Sequence, residues 1–309
     1  MNKKRVLAML LAGAMALSMT ACGGGNSAST DDGSNDGGAS ASGGSYKVSV
    51  ILKTLAAEYW QYVKSGAEDY ASEHSDKVTV EVKGPSSETA FDEMQNMIET
   101  DLSSGSYDGI VISPLQSDTA AQLVSGTKLP IVAIDTNFTA PEVKSFVGTG
   151  NEAAAKKGGE AAVEAAKAAG WTDIKCIEIA GVQGDQTNTA RMNGYKAGVE
   201  EAGGTFLSDE VQYADATADR ATTAMEAIIQ THPEGIAIIC ANNDDMAMAA
   251  ARAAKGNAAY EKTIFVGFDG IQSACNAILS GEETMSVAQE AYDMGYKAVE
   301  AAVKAVNGE

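Results

Sequence analysis

The chain has 309 residues, with 42 acidic against 22 basic side chains and a formal net charge of -20. Such a polyanion repels phosphate backbones, which excludes nucleic acid as a partner, and it avoids bare anionic lipid surfaces. Hydrophobic residues make up 45% and charged residues 21%, a globular rather than a disordered composition, and the length suits one large domain or two moderate ones.

The first 21 residues have a basic start (Lys3, Lys4, Arg5), an apolar run from Val6 and small residues before Cys22. This is the layout of a secretory signal peptide, and the run is too short for a comfortable membrane span. Removing it makes the remaining chain more acidic still. Met19, Thr20, Ala21 and Cys22 resemble a bacterial lipoprotein lipobox. The resemblance implies that Cys22 becomes the acylated first residue, anchored outside the cytoplasm by burial of CH₂ groups at about 0.8 kcal/mol each. Residues 22–45 carry no apolar side chain larger than Ala after Cys22, cannot bury surface to offset chain entropy, and read as a flexible tether. Asp31, Asp32 and Asp36 hint at a calcium loop, but the closing Glu is missing, and no metal or cofactor is expected.

From Tyr46, β-branched runs alternate with Ala-rich stretches. YKVSVIL predicts a strand, followed by a helix over 59–74, strand KVTVEV, helix 88–103, strand GIVIS, helix 118–125 and strand PIVAID. After KSFVG the pattern restarts. Helix 151–169, strand DIKCIEIA, helix 188–202, strand TFLSDEVQY, helix 219–230 and strand GIAIIC come first. Helix 244–254, strand TIFVGF, helix 271–279, strand TMSVAQ and helix 292–306 complete it. Strands nearly continuous in Val and Ile are buried on both faces, as in parallel sheets, and repeated βα units with right-handed crossovers give an α/β, doubly wound architecture. The restart predicts two such domains, 46–149 plus 290–309 and 150–289, joined by a multi-strand hinge, with the ligand between them. Cys176 and Cys240 lie in apolar runs and, with Cys275, show neither metal-ligand spacing nor an even count for a disulfide framework.

In open α/β sheets ligands bind beyond the C-terminal strand ends. Those ends carry Tyr59 and Trp60, Asp135, Arg191, Asn243, Asp269 and Gln289. Two carboxylates, a guanidinium, amides and aromatic rings suit a polyhydroxylated ligand. Carboxylates accept from vicinal hydroxyls, Arg donates a fork, amides do both, and rings cover the C–H faces.

ANNDDMAMAA (241–250), VGFDG (266–270), VAQ (287–289) and TLAAEYW (54–60) resemble the periplasmic sugar-binding proteins of ABC importers, of the ribose/galactose-binding type, across 46–309. The resemblance implies a type 1 periplasmic binding protein fold that closes on a ribose-, galactose- or allose-like monosaccharide and hands it to an ABC permease and its ATPase. Position by position, it assigns stacking to Tyr59 and Trp60 and polar contacts to Asp135, Arg191, Asn243, Asp269 and Gln289, with Phe268 flanking the sugar. It also implies a monomer without cofactor, touching the membrane only through its lipid. Ribose binders have an Asn in the first loop where this chain has Ala56 and Ala57, and an aromatic wall where it has Ala216 and Thr217, which weighs against ribose itself. The family pattern also continues, past the equivalent of VNGE, into a further crossover and a terminal strand.

Other readings are weaker. Gly148-Thr-Gly150 mimics a dinucleotide fingerprint, but its acidic partner would fall at Asp173, before the next strand begins, so the segment reads as an interdomain crossover. His74 and His232 read as solvated helix ends, and with no third His and no GxSxG there is no hydrolase triad. Asp135 and Asp269 as a glycosidase pair serve binding more simply. Asp245 reads as an acidic residue favouring a helix N-terminus. A sugar sensor presenting ligand to a chemoreceptor or histidine kinase is the alternative use of the same pocket. A LacI-like repressor is contradicted by the export signal and the charge.

Overall fold

A computed structural model describes residues 45–309; the export signal, Cys22 and the tether up to residue 44 lie outside the described residues. The first parallel sheet contains β1 (Tyr46–Ile51), β2 (Val78–Lys83), β3 (Gly109–Ile112), β4 (Ile131–Ile134) and β5 (Val143–Val147), in the order β2-β1-β3-β4-β5. Its intervening helices are α1 (Glu58–Glu73), α2 (Phe91–Ser104) and α3 (Ser117–Leu123). Side chains alternate across this sheet. Val48, Val50, Val111, Val132 and Ile134 face α1, while Ile51, Ile110, Ile112 and Ile131 face α2 and α3. In the central strands β1, β3 and β4 both faces are dry, which is why they read as apolar runs, while the edge strands β2 and β5 alternate with exposed residues.

The chain then crosses through α4 (Asn151–Ala168) into a second parallel sheet. Its strands are β6 (Lys175–Ala180), β7 (Thr205–Phe206), β8 (Gln212–Tyr213), β9 (Ile238–Ala241), β10 (Ile264–Asp269) and β11 (Met285–Ala288). The order is β11-β10-β9-β6-β7, with β8 also on β6. The helices are α5 (Gln186–Glu201), α6 (Ala218–Thr231), α7 (Asp244–Ala254) and α8 (Gln272–Ser280). Residues of α4 and α5 cover one face, and those of α6 and α7 the other. Finally α9 (Ala291–Val306) returns to the first sheet and packs on α1. That approach is close. A Cβ on Gly66 would lie 1.9 Å from the Tyr292 carbonyl oxygen, and one on Gly295 would lie 1.9 Å from that of Val63.

Several element ends shift by a residue or two from the sequence expectation, and three differences have a visible cause. TFLSDEVQY is not one strand. A 3-10 turn at Ser208–Glu210 divides it, so β7 pairs the start of β6 and β8 its end. α2 begins three residues late because the preceding loop is held differently: the Glu93 carboxylate accepts from the Ser86 backbone N–H (2.7 Å) and its hydroxyl (2.8 Å). α5 begins two residues early because Asp185 caps it, accepting from the Asn188 N–H at 2.7 Å.

Candidate functional site

The C-terminal strand ends of the two sheets face each other across a narrow cleft enclosing a cavity of about 40 Å³. A larger, more open groove of about 970 Å³, including Tyr260, Ile264 and Thr284, lies at the opposite, N-terminal ends of β10 and β11, away from the position where open sheets bind solutes. The narrow cleft is therefore the candidate site.

From the first sheet, Asp135 follows β4 with φ 61°, a left-handed conformation that costs a non-glycine residue free energy and is held only by its surroundings. Its carboxylate accepts from the Tyr59 hydroxyl at 2.9 Å and from the Thr136 hydroxyl at 2.9 Å. Tyr59 and Trp60 open α1, both buried, with their rings edge to face at 4.9 Å. Burial, reinforced by Asp135, pushes the Tyr59 hydroxyl well above its ordinary range, so it stays a donor. The Trp60 indole donates to Glu88 at 2.9 Å.

From the second sheet, Arg191 on α5 is 5% exposed and fixed on three sides. Nε donates to Asn151 Oδ1 (2.8 Å), Nη1 donates to the Asn242 carbonyl (2.7 Å), and Nη1 lies 3.5 Å from Asp269 Oδ1. The guanidinium lies 3.8 Å above the Phe268 ring. Burial opposes its charge, but Asp269 and Asp135 outweigh that and hold it above its usual value. Asp269 ends β10 at φ 120°, and Gly270 follows at φ 72°, where a Cβ would meet Ala288. The turn is pinned from behind. Asp244 Oδ2 accepts from the N–H groups of Gly270 (2.7 Å) and Ile271 (3.0 Å), and Oδ1 accepts from Ser286 (2.6 Å). Burial nevertheless lifts Asp244 to about 6. Burial also lifts Asp269 well above the usual carboxylate range, against the pull of Arg191.

Asn243 caps α7, accepting from Met246 N–H at 2.9 Å and donating to the Ala216 carbonyl at 3.2 Å, and it also lines the cavity. Two named residues sit behind the wall rather than on it. Phe268 is fully buried beneath the Arg191 guanidinium, because alternation along β10 turns it into the core while its neighbour Asp269 faces the cleft. Gln289 donates to Asp269 Oδ1 (2.7 Å) and accepts from Thr149 (2.7 Å), joining the 148–150 crossover to the end of β11.

The cleft also contains residues that the strand-end reading passed over. Lys53, two residues past the end of β1, reaches Asp185 on the other side at 2.5 Å, with both side chains buried. Thr136 and Thr187 share a hydrogen bond of 2.8 Å across the same gap, and Ser273 donates to Glu58 at 2.5 Å. Asn242 donates to Glu178 (3.3 Å) and to the Asn188 carbonyl (3.2 Å), which supports the carbonyl that holds Arg191. Asp245 lines the cavity as well. Lys53 occupied a strand end and was open to the same rule; Glu88 and Asn188 stood at the starts of expected helices and Asp185 just before one, where they read as helix-start residues rather than as parts of the cleft.

Two doubly wound lobes that enclose polar strand-end residues from both sides define a solute-binding protein of the hinged, two-lobed class. The chain belongs to the family described as "Periplasmic binding protein domain", whose model matches residues 48–309. It is 31% identical over 257 residues to the D-allose-binding periplasmic protein of Escherichia coli, covering 80% of each chain. It is 27% identical to the ribose import binding protein of Bacillus subtilis, covering 85% of this chain and 82% of that one. Among solved structures, a carbohydrate transporter solute-binding protein from Agrobacterium radiobacter in complex with D-arabinose superposes with a TM-score of 0.77 at 25% identity, covering 86% of this chain and 90% of the other. No helix among the described residues is long and apolar enough to cross a membrane.

Proposed function

We propose that the protein captures a monosaccharide outside the cytoplasm by closing its two lobes over it and delivers it to an ABC permease and its ATPase. Lobe one is 46–149 plus 290–309, lobe two is 150–289, and Thr149 with Gln289 lies at the hinge. The carrying observation is that charged and aromatic side chains from both sheets meet at one cavity. Tyr59 and Trp60 supply apolar faces, Asp135 and Asp269 accept from hydroxyls, Arg191 donates, and Asn243 does both. Phe268 and Gln289 hold Arg191 and Asp269 in place. Ala57 and Ala216 leave space where a larger side chain would narrow the cleft. The work is binding and closure, with no bond made or broken. Acylation of Cys22 would tether the body to the membrane surface.

Thermal-shift screening of pentoses, hexoses and their deoxy forms tests this reading, because a ligand that binds only the folded form stabilises it by RT ln(1 + [L]/Kd). At least one monosaccharide raises Tm in the wild type and not in Asp269→Ala. A panel without any shift contradicts the reading.

A further inference from the structure

We infer that this cleft selects a solute carrying a protonated amino group beside its hydroxyls, an aminated monosaccharide. The inference rests on the solute-binding reading above and narrows its ligand. Two cations and five carboxylates line the cavity. Lys53 pairs with Asp185 at 2.5 Å and Arg191 with Asp269 at 3.5 Å. Glu88, Asp135 and Asp245 are left without a basic side chain within ion-pair distance among the described residues. The oxygens of Asp135 are occupied by two hydroxyls, and Glu88 accepts a single indole N–H. The Asp245 carboxylate has neither a hydrogen bond nor an ion pair among the described residues.

Hydroxyls on a neutral sugar satisfy acceptors but bring no charge, and partly enclosed carboxylates that outnumber the cations beside them are costly. Burial raises Glu88 and Asp245 above the usual carboxylate range, so a ligand cation beside them would favour their charged forms. A ligand ammonium supplies three donors and the missing charge. An acidic sugar would add to the surplus. One donor points the other way: Asn188 Nδ2, on a 2% exposed residue lining the same cavity, has no partner, which suits a hydroxyl or ring oxygen on the same ligand.

Calorimetric titration of the mature chain at pH 6.5 tests this. Glucose, galactose and mannose are compared with their 2-amino and N-acetylated forms, and glucose also with its 3-amino and 6-amino forms. At least one amine binds tenfold or more tightly than both its neutral counterparts. Asp245→Asn and Glu88→Gln each shrink that ratio severalfold. A neutral sugar binding as tightly as every amine overturns the inference and leaves the proposed function standing. An amine preference unchanged in both variants overturns the carboxylate assignment on which it rests. Binding of no compound in either set removes both.

Discussion

Replacing Lys53 with Met breaks the one buried ion pair that, among the described residues, spans the cleft, at 2.5 Å, leaving Asp185 enclosed without its counter-charge. Breaking a buried pair from one side costs about 3–5 kcal/mol where the remaining charge stays buried. Here Asp185 can regain water by opening the lobes, so the penalty falls on the closed arrangement. Direct coupling between contacting charges is about 0.5–3 kcal/mol in double-mutant cycles, and each 1.4 kcal/mol is tenfold in an equilibrium. Lys53→Met should therefore shift the ligand-free closed-to-open ratio toward open by about twofold to a hundredfold. Asp185→Asn removes the charge but keeps an oxygen able to cap α5, so the double variant should close more readily than Lys53→Met alone. Small-angle scattering reads this directly. The ligand-free single variant should have a larger radius of gyration than the wild type, and saturating sugar should restore the compact value. Identical scattering of wild type and Lys53→Met without sugar would refute the reasoning.

Burial lifts Glu178 to about 8 and Glu283 to about 9, whereas both titrate near 4.5 in the unfolded chain. The folded form therefore holds protons that the unfolded chain has lost, so this contribution to stability is full below about pH 4.5 and disappears as pH rises to about 9. At about 1.4 kcal/mol per pH unit, Glu178 and Glu283 cost on the order of 5 and 6 kcal/mol respectively across that window. Tm should fall between pH 5 and pH 9, and Glu178→Gln or Glu283→Gln should flatten the fall; parallel curves in wild type and variants would count against it. Gly295→Ala pushes a Cβ to 1.9 Å from the Val63 carbonyl oxygen. It should cost about 1–3 kcal/mol by overpacking, read as a lower Tm, and an unchanged Tm would show that α1 and α9 can separate freely.

Much of the architecture was legible because it is local. Val48, Val50 and Ile51 report a strand buried on both faces without reference to distant residues. Asp135 and Asp269 announced themselves through their place at strand ends, and each turned out to sit at positive φ. The break in TFLSDEVQY was not legible, since it depends on how β6 accommodates two short partners. Nor was the Lys53 contact with Asp185, 132 positions away, because only the assembled cleft brings them together. Asp244 and Asp245 show the limit of local reasoning. Both open α7 and suit its dipole, yet one is buried behind the Asp269 turn and the other lines the cavity.

The central claim is that strand-end side chains from two parallel sheets jointly grip a hydroxyl-bearing solute. Calorimetric titration with the monosaccharide giving the largest thermal shift tests it most directly. Wild type should bind one molecule per chain, while Arg191→Ala, from lobe two, and Asp135→Ala, from lobe one, should each lose about 2–5 kcal/mol of affinity. Full affinity in either variant would contradict a grip shared between the lobes.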